Sequence, residues 1–373
     1  FKNINKSILS VLGGPHANFM QLETLLDFPE FDFVMKGDFL LDFLHNLNTG
    51  KHLEDVPGLG YRIGKDIYCN PAIRKQNGRV PITMPAYALL TRPVGEYAHN
   101  VRTLMGCPYK CLFCVDQKTI DENPSLSLTA EQVFTELDWL SRRVPAGSLI
   151  HFSDSIFNLQ EDRTLEIVDR LKMIANEVCY SFDTRVDLVK PEELRRLSKA
   201  NFYYCRIGIE NNDSLILSNI SKLIDVKAQI NACQMIRKVA PSMAIHGYYI
   251  IGLPGSTMDS MGKSAQFVQD LITSDAVDVI GNKVFVPYPG TPVFNNPSTF
   301  GVEILTRDWG KYDRRSFPVY ALNNLSAEDI YQGYILHERK LTEALNLKVK
   351  NDIHQDFERL DLGYIYANYV GNG

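Results

Sequence analysis

The sequence lacks any apolar run near the ~20 residues that a membrane-spanning helix needs. Its opening stretch, "FKNINKSILSVLGG", has too short an apolar part, and no cleavage site, to be a signal peptide. It lacks a basic surplus as well: 39 Lys and Arg stand against 44 Asp and Glu, for a net charge of −5. That argues against a general nucleic-acid surface, which would need a basic stripe. A secreted disulfide framework is missing too, because seven cysteines are an odd number in a large chain. Internal repeats and low-complexity tracts are absent. What remains is ordinary globular composition, 45% hydrophobic and 22% charged. The length of 373 residues suits two domains.

Three of the cysteines, Cys107, Cys111 and Cys114, cluster in "GCPYKCLFCVDQ" with the spacing C-x3-C-x2-C. Cys69, Cys179, Cys205 and Cys233 are scattered and read as small buried hydrophobes. Reduced thiols point to a reducing cytoplasm.

Along the chain, "SILSVLGGPH" predicts a buried strand over Ile8 to Leu12, broken at Gly13-Gly14-Pro15. "FDFVMKGD" predicts a second strand, and "FMQLETLLDF" between them has helical spacing. Residues 1–55 therefore read as the last units of a doubly wound, Rossmann-like α/β sheet, which usually has about five strands. The chain is expected to begin inside a domain, since Phe1 falls mid-pattern with no initiator methionine. Residues 56–99 hold a hairpin, "LGYRIGKDIYCN", and a proline-bearing linker with Pro71, Pro81, Pro85 and Pro93.

From residue 100 a βα rhythm sets in. Strands are predicted at 101–105, 148–153, 178–183, 202–209, 243–251 and 278–286, with helical patterns between them. Six such units over 100–295 predict a partial (β/α)6 TIM-like barrel, whose ligands sit at the strands' carboxyl ends. The cysteines, Asp154, Arg185, Glu210 and Gly252 all fall there. Residues 296–373 form a C-terminal segment with a helix over 326–347 and an aromatic tail, "DLGYIYANYVGNG".

Three thiolates on one loop can hold three corners of a cubane iron–sulfur cluster and leave the fourth iron open. Open coordination is what catalysis needs and a structural site avoids. Structural zinc, or a plain electron-transfer cluster, would call for a fourth ligand; the nearest histidines are His99 and His151.

The loop and the motifs beyond it resemble the radical S-adenosylmethionine (SAM) superfamily. "IHFSDSIFN", "SFDTRVDLV", "RIGIENNDSLILSNISK" and "GYYIIGLPGST" fall in the superfamily's order, with Asn211 where a serine is usual. The resemblance implies a 4Fe-4S cluster on Cys107, Cys111 and Cys114, with SAM chelating the open iron and cleaved by one electron to a 5′-deoxyadenosyl radical. It implies SAM contacts from Phe113, Asp154, Arg185, Glu210 and Gly252. Arg185 has the planar fork suited to a carboxylate, and its plain alternative is an ion pair with Asp154, Asp183 or Asp187. Glu210 and Asp154 have as their alternative a carboxylate satisfied by backbone N–H groups. Gly252 and Gly255 would let backbone approach the adenosine, or form an ordinary strand-to-helix turn.

"VLGGPHANF" and "FVMKGDF" resemble the late part of the cobalamin-binding domain fused to many radical SAM enzymes, with Gly37-Asp38 where Gly-Glu is usual. This implies cobalamin contacts from Gly13, Gly14, His16 and Gly37; a capping or core role is the alternative for His16. The D-x-H-x-x-G motif is absent, and "DIHQDF" lacks its glycine. "VPYPGTPVFNNPSTFGVEILTRDWGKYDRRSFPVY" resembles the segment after the barrel in the same group. Its Tyr288, Trp309 and Tyr312 would either close the mouth or pack on the surface.

The expected activity is cobalamin-dependent methylation of an unactivated carbon. The alternatives are a cobalamin-containing rearrangement or cyclisation without methyl transfer, a radical SAM reaction without cobalamin, and a non-enzymatic zinc or electron-transfer module. A small-molecule or peptide substrate and an external electron donor of flavodoxin or ferredoxin type are implied, with no nucleic acid and no membrane.

Overall fold

The computed structural model describes residue 5 and residues 7–37, 39–50, 52–72, 84–116, 126–174 and 177–350. The tail over 361–373, "DIHQDF", Asp38 and Pro81 lie outside them. The chain divides into two units: residues 1–83 with 287–295, and residues 84–286 with 296–373.

In the first unit, β1 (Val11–Leu12) pairs in parallel with β2 (Phe33–Met35). The hairpin β3 (Leu59–Ile63) and β4 (Asp66–Cys69) continues the same sheet antiparallel, in the order β1-β2-β3-β4. The strand predicted from Ile8 starts only at Val11. The reason is local: the N–H and Oγ of Ser10 both bond to Asp32 Oδ2, at 2.8 and 2.9 Å, so a side chain holds the backbone there. β2 is buried on both faces. Phe33 and Met35 pack with Phe43, Val56, Leu59 and Tyr61, and Val34 packs with Ala17 and Leu25 on the other side. Gln21 Nε2 ties the helix Gln21–Asp27 to the sheet through Val34 O at 2.8 Å and Gly58 O at 2.7 Å. The segment 287–295 returns to this unit, and Gly290 lies so close on the Phe19 ring that no β-carbon would fit.

The second unit holds the predicted βα rhythm. β5 (His99–Val101), β8 (Leu149–Phe152), β9 (Cys179–Arg185), β10 (Phe202–Glu210), β11 (Ala244–Ile251) and β12 (Val279–Val284) form one sheet in sequential order. Every pairing in it is parallel. This is the α/β partial (β/α)6 TIM-like barrel the periodicity predicts. Helix starts follow from side chains: Thr129 and Gln132 form a capping box, Asp213 and Asp225 cap their helices, and Pro191 opens another. Outside the barrel wall, Phe152, Phe157, Tyr180, Phe182 and Phe202 pack ring on ring, with centroids 4.4–5.9 Å apart.

The strand predicted at 101–105 is divided. Its first part is β5. Its second, β6 (Leu104–Met105), leaves the barrel to pair antiparallel with β7 (Leu126–Ser127). Between them the backbone donates to the carboxylate of Asp154 instead of a neighbouring strand. After the barrel, β13 (Val302–Ile304) and β14 (Tyr320–Leu322) form an antiparallel ribbon. The helix Ala327–Lys350 packs on Met258–Thr273, where His337 Nε2 lies 2.8 Å from Ser264 Oγ. Trp309 and Tyr312 pack on each other, with ring centroids 4.8 Å apart, and the Tyr312 hydroxyl donates to Thr306 O.

Candidate functional site

The cysteine loop leaves β6 through Gly106, whose φ of +93° is a conformation other residues rarely adopt. Cys111 is buried, and Cys107 and Cys114 are half-buried. Two backbone bonds shape the loop: Cys114 N–H donates to Cys111 O at 3.0 Å, and Leu112 N–H to Ile220 O at 3.0 Å. Ser155 Oγ donates to Asp116 Oδ2 at 2.7 Å just beyond the third cysteine. Phe113 is half-buried on the same loop.

Burial raises the pKa of all three thiols, that of Cys114 to about 12. Each also feels the charge of another cysteine of the loop or of Arg185. Such thiols become ligands when a bound cation takes the proton's place. Among the described residues no three His, Cys, Asp or Glu side chains are gathered as for a single metal ion. Three cysteine thiols on one loop are the donor chemistry that an iron–sulfur cluster takes.

Asp154 is buried beneath the loop, and its carboxylate is fully engaged. Oδ1 accepts from the N–H of Thr103 at 2.6 Å and of Leu104 at 2.8 Å, and Oδ2 accepts from Thr103 Oγ1 at 2.6 Å. Arg163 holds the same residue from the other side, donating to Thr103 O at 2.8 Å and Leu128 O at 3.0 Å. The structure therefore places Asp154 as a brace at the entry to the loop, its oxygens accepting from the backbone of Thr103 and Leu104 and from the Thr103 hydroxyl. This is also what divides the strand predicted at 101–105.

Arg185, at the end of β9, forms the ion pair anticipated with Asp187. Nε and Nη2 donate to its two oxygens at 2.9 and 3.2 Å. The guanidinium also stacks on Tyr109, 3.5 Å from the ring centroid, and Nη1 lies 3.8 Å from Cys111 Sγ.

Glu210 ends β10 with a φ of +65°, after a bulge at Gly208. Its partner is Lys222, which sequence reasoning does not single out. Lys222 is buried, and its Nζ donates to Glu210 Oε1 and Gly208 O, each at 2.8 Å. Cys111 feels the charges of Lys222, Arg185 and Glu210 together, so the fold brings these four to one place. Lysine in a stretch of mixed polarity has no local mark of burial. Only its place within "GIENNDSLILSNISK" could have drawn attention to it.

Gly252 sits in the strand-to-helix turn given as its alternative. Its φ is +73°, and the space a β-carbon would take is filled by the Tyr320 hydroxyl and Ile330. Tyr320 also donates to Gly252 O at 2.6 Å. At Gly255 a β-carbon would meet Asn219 Nδ2 at 2.7 Å. Protein atoms fill the space beside both α-carbons.

In the first unit, Gly14 caps the helix Pro15–Phe19 with a φ of +95°, and β-carbons at Gly13 and Gly14 would meet nothing. The turn at the carboxyl end of β1 is thus open, as the approach of a planar cofactor requires. Asn18 Oδ1 accepts from Gly37 N–H at 2.8 Å, joining the turns after β1 and β2. His16 is half-buried on the short helix; burial lowers its pKa against the pull of Glu23.

The model of the Radical SAM superfamily matches residues 101–268. An uncharacterized methyltransferase of Pyrococcus horikoshii is 27% identical over 340 residues, 88% of this chain and 71% of that protein. An anaerobic magnesium-protoporphyrin IX monomethyl ester cyclase of Rubrivivax gelatinosus is 23% identical over 328 residues, 84% of this chain and 57% of that protein. Among solved structures, the radical SAM methyltransferase TsrM from Kitasatospora setae, with cobalamin and a 4Fe-4S cluster bound, superposes with a TM-score of 0.62 at 16% identity. The match covers 80% of this chain and 60% of that one. That likeness is one of fold.

Proposed function

This chain carries a radical SAM domain over residues 101–268, and on that premise we propose that the protein cleaves SAM reductively and uses the radical in a cobalamin-dependent methylation of an unactivated carbon. The observation that carries the reading is the three-cysteine loop at the carboxyl ends of six parallel strands, with Arg185, Glu210 and Lys222 gathered at Cys111.

Cys107, Cys111 and Cys114 would hold a 4Fe-4S cluster that supplies the electron for SAM cleavage, and Gly13, Gly14, His16 and Gly37 would hold a cobalamin that supplies a methyl carrier. The residues of the chain position and shield. Thr103, held by Asp154 and Arg163, fixes where the loop begins. Tyr109 and Asp187 fix the Arg185 guanidinium beside the cysteines. Lys222 fixes the Glu210 carboxylate, suited to accept from the ribose hydroxyls or the ammonium of SAM. Phe113 lies on the loop where the adenine would be bound.

The reductant is an external protein of flavodoxin or ferredoxin type, and the site of action is a reducing cytoplasm. No helix among the described residues is long and apolar enough to cross a membrane.

The test is anaerobic reconstitution, followed by iron and sulfide analysis and 5′-deoxyadenosine formation from SAM. Cys107→Ala, Cys111→Ala and Cys114→Ala should each abolish cleavage, and cleavage retained in any of them overturns the reading. The relative named a cyclase supports a second reading, a radical cyclisation without methyl transfer. Label from methyl-labelled SAM entering the product, in amounts that depend on added cobalamin, supports methylation; deoxyadenosine without methyl incorporation supports the second.

A further inference from the structure

The interior of the barrel holds a polar constellation that the SAM site does not use. Asp183, Arg206 and His246 are register partners across β9, β10 and β11. His151 of β8 pairs with Ser181 of β9, nearer the strands' amino ends. His151 Nδ1 lies 2.9 Å from Ser181 Oγ. Its Nε2 lies 3.0 Å from Arg206 Nη1 and 3.2 Å from Asp183 Oδ2. One ring nitrogen cannot accept from Arg206 and donate to Asp183 at once. Moreover, Arg206 Nε and Asp183 Oδ1 are buried atoms with no hydrogen-bond partner among the described residues. A buried donor and a buried acceptor left so, side by side in the register, call for a ligand that supplies the complement of each.

Burial first, then Arg206, Lys283 and Arg315, lowers the pKa of His246 to about 3, so this imidazole stays neutral. The Lys283 ammonium is itself crowded: burial first, then Arg315 and Arg314, lower its pKa to about 8, against the opposing pull of Glu338 and Asp313. Arg185 and Lys222 are already engaged by Asp187 and Glu210. Aromatic surface adjoins, with the His246 and Tyr248 rings 4.8 Å apart and the Tyr204 hydroxyl 2.7 Å from His246 Nδ1.

We propose that the barrel interior binds a carboxylate of the substrate, with Arg206 as its anchor, Lys283 adding charge, and Asp183 taking a hydroxyl or ammonium beside it. This rests on the reading of residues 101–268 as the catalytic barrel. A planar carboxylate matches the edge of a guanidinium fork. A phosphate dianion next to the Asp183 carboxylate would be repelled, which favours a monoanion.

The test uses the reconstituted full chain and phenylacetate as probe, with its neutral amide, phenylacetamide, and inorganic phosphate as comparisons, observed by ligand NMR. Phenylacetate should bind at least about 10-fold more tightly than phenylacetamide in the unaltered protein. Arg206→Gln should weaken phenylacetate by about 10-fold or more and leave phenylacetamide unchanged, with Arg206→Lys in between. Absence of phenylacetate binding, equal binding of the two probes, phenylacetate affinity unchanged in Arg206→Gln, or phosphate bound as tightly as phenylacetate would each overturn the proposal. The comparison of probes in the unaltered protein decides it even if a variant fails to fold. Deoxyadenosine formation without substrate, measured on the same samples, keeps the readings apart: its failure overturns the radical SAM assignment, whereas loss of carboxylate discrimination overturns only this site.

Discussion

Arg185 Nη1 stands 3.8 Å from Cys111 Sγ while the other edge of the guanidinium grips both oxygens of Asp187. The two residues are 74 positions apart, so the strand β9 and the cysteine loop are tied at the atom that would meet iron. Lysine at this position keeps the charge but loses the fork and the stacking on Tyr109. Arg185→Lys should lower iron retained after reconstitution, alter the spectrum of the reduced cluster, and slow deoxyadenosine formation by about 10-fold. Iron analysis and electron paramagnetic resonance check this independently of turnover. Unchanged iron, spectrum and rate would show the contact to be idle.

Lys222 is expected to matter for stability as well as for SAM. Its side chain is 3% exposed and that of Glu210 12%, so removing either partner leaves a largely desolvated charge. Lys222→Met should cost roughly 3 kcal/mol in denaturant unfolding and weaken SAM binding. The double variant Lys222→Met with Glu210→Gln should recover much of the stability but not the affinity. Equal SAM affinity in all three proteins would remove Glu210 from the binding site.

At Gly252, alanine meets two obstacles. The backbone has a φ of +73°, and the methyl group would overlap the Tyr320 hydroxyl and Ile330. Gly252→Ala should destabilise by about 2–4 kcal/mol. Tyr320→Phe added to it should return only part of the loss, because the backbone strain remains. Full recovery in the double variant would mean that the clash alone requires glycine.

Glu193 carries a pH dependence. Its side chain is buried, Oε2 accepts from Asn158 Nδ2 at 3.1 Å, and Oε1 has no partner among the described residues. Burial raises its pKa to about 7, from 4.5. With the folded value above the unfolded one, stability is highest below pH 4.5 and falls as pH rises towards 7. Glu193→Gln should therefore stabilise by on the order of 3 kcal/mol above about pH 8, and change little near about pH 4. Unfolding curves at the two pH values check the sign. A stabilisation that is the same at both would assign the effect to packing.

Much of the second unit was legible from local pattern. The helix Val226–Val239 and the strands β8 to β12 fall where periodicity places them, because burial of one face is written into side-chain spacing. The division at Thr103 was not, since its cause, Asp154, lies 51 residues away. Gly252 reads correctly as a glycine required by its turn, but Tyr320, 68 residues on, is what occupies the space beside it. Lys222 carries no such local signal, because a lysine's burial depends on the partner found across the fold.

The sequence by itself determined the three-cysteine spacing, the order of βα units and the positions of the caps. These are short-range properties, set by neighbours along the chain and by hydrophobic period. The tertiary structure alone decided which charges meet: Arg185 with Cys111, Lys222 with Glu210, and Asp183 beside Arg206. Strand register sets those encounters, and register is a contact between segments that no single segment encodes.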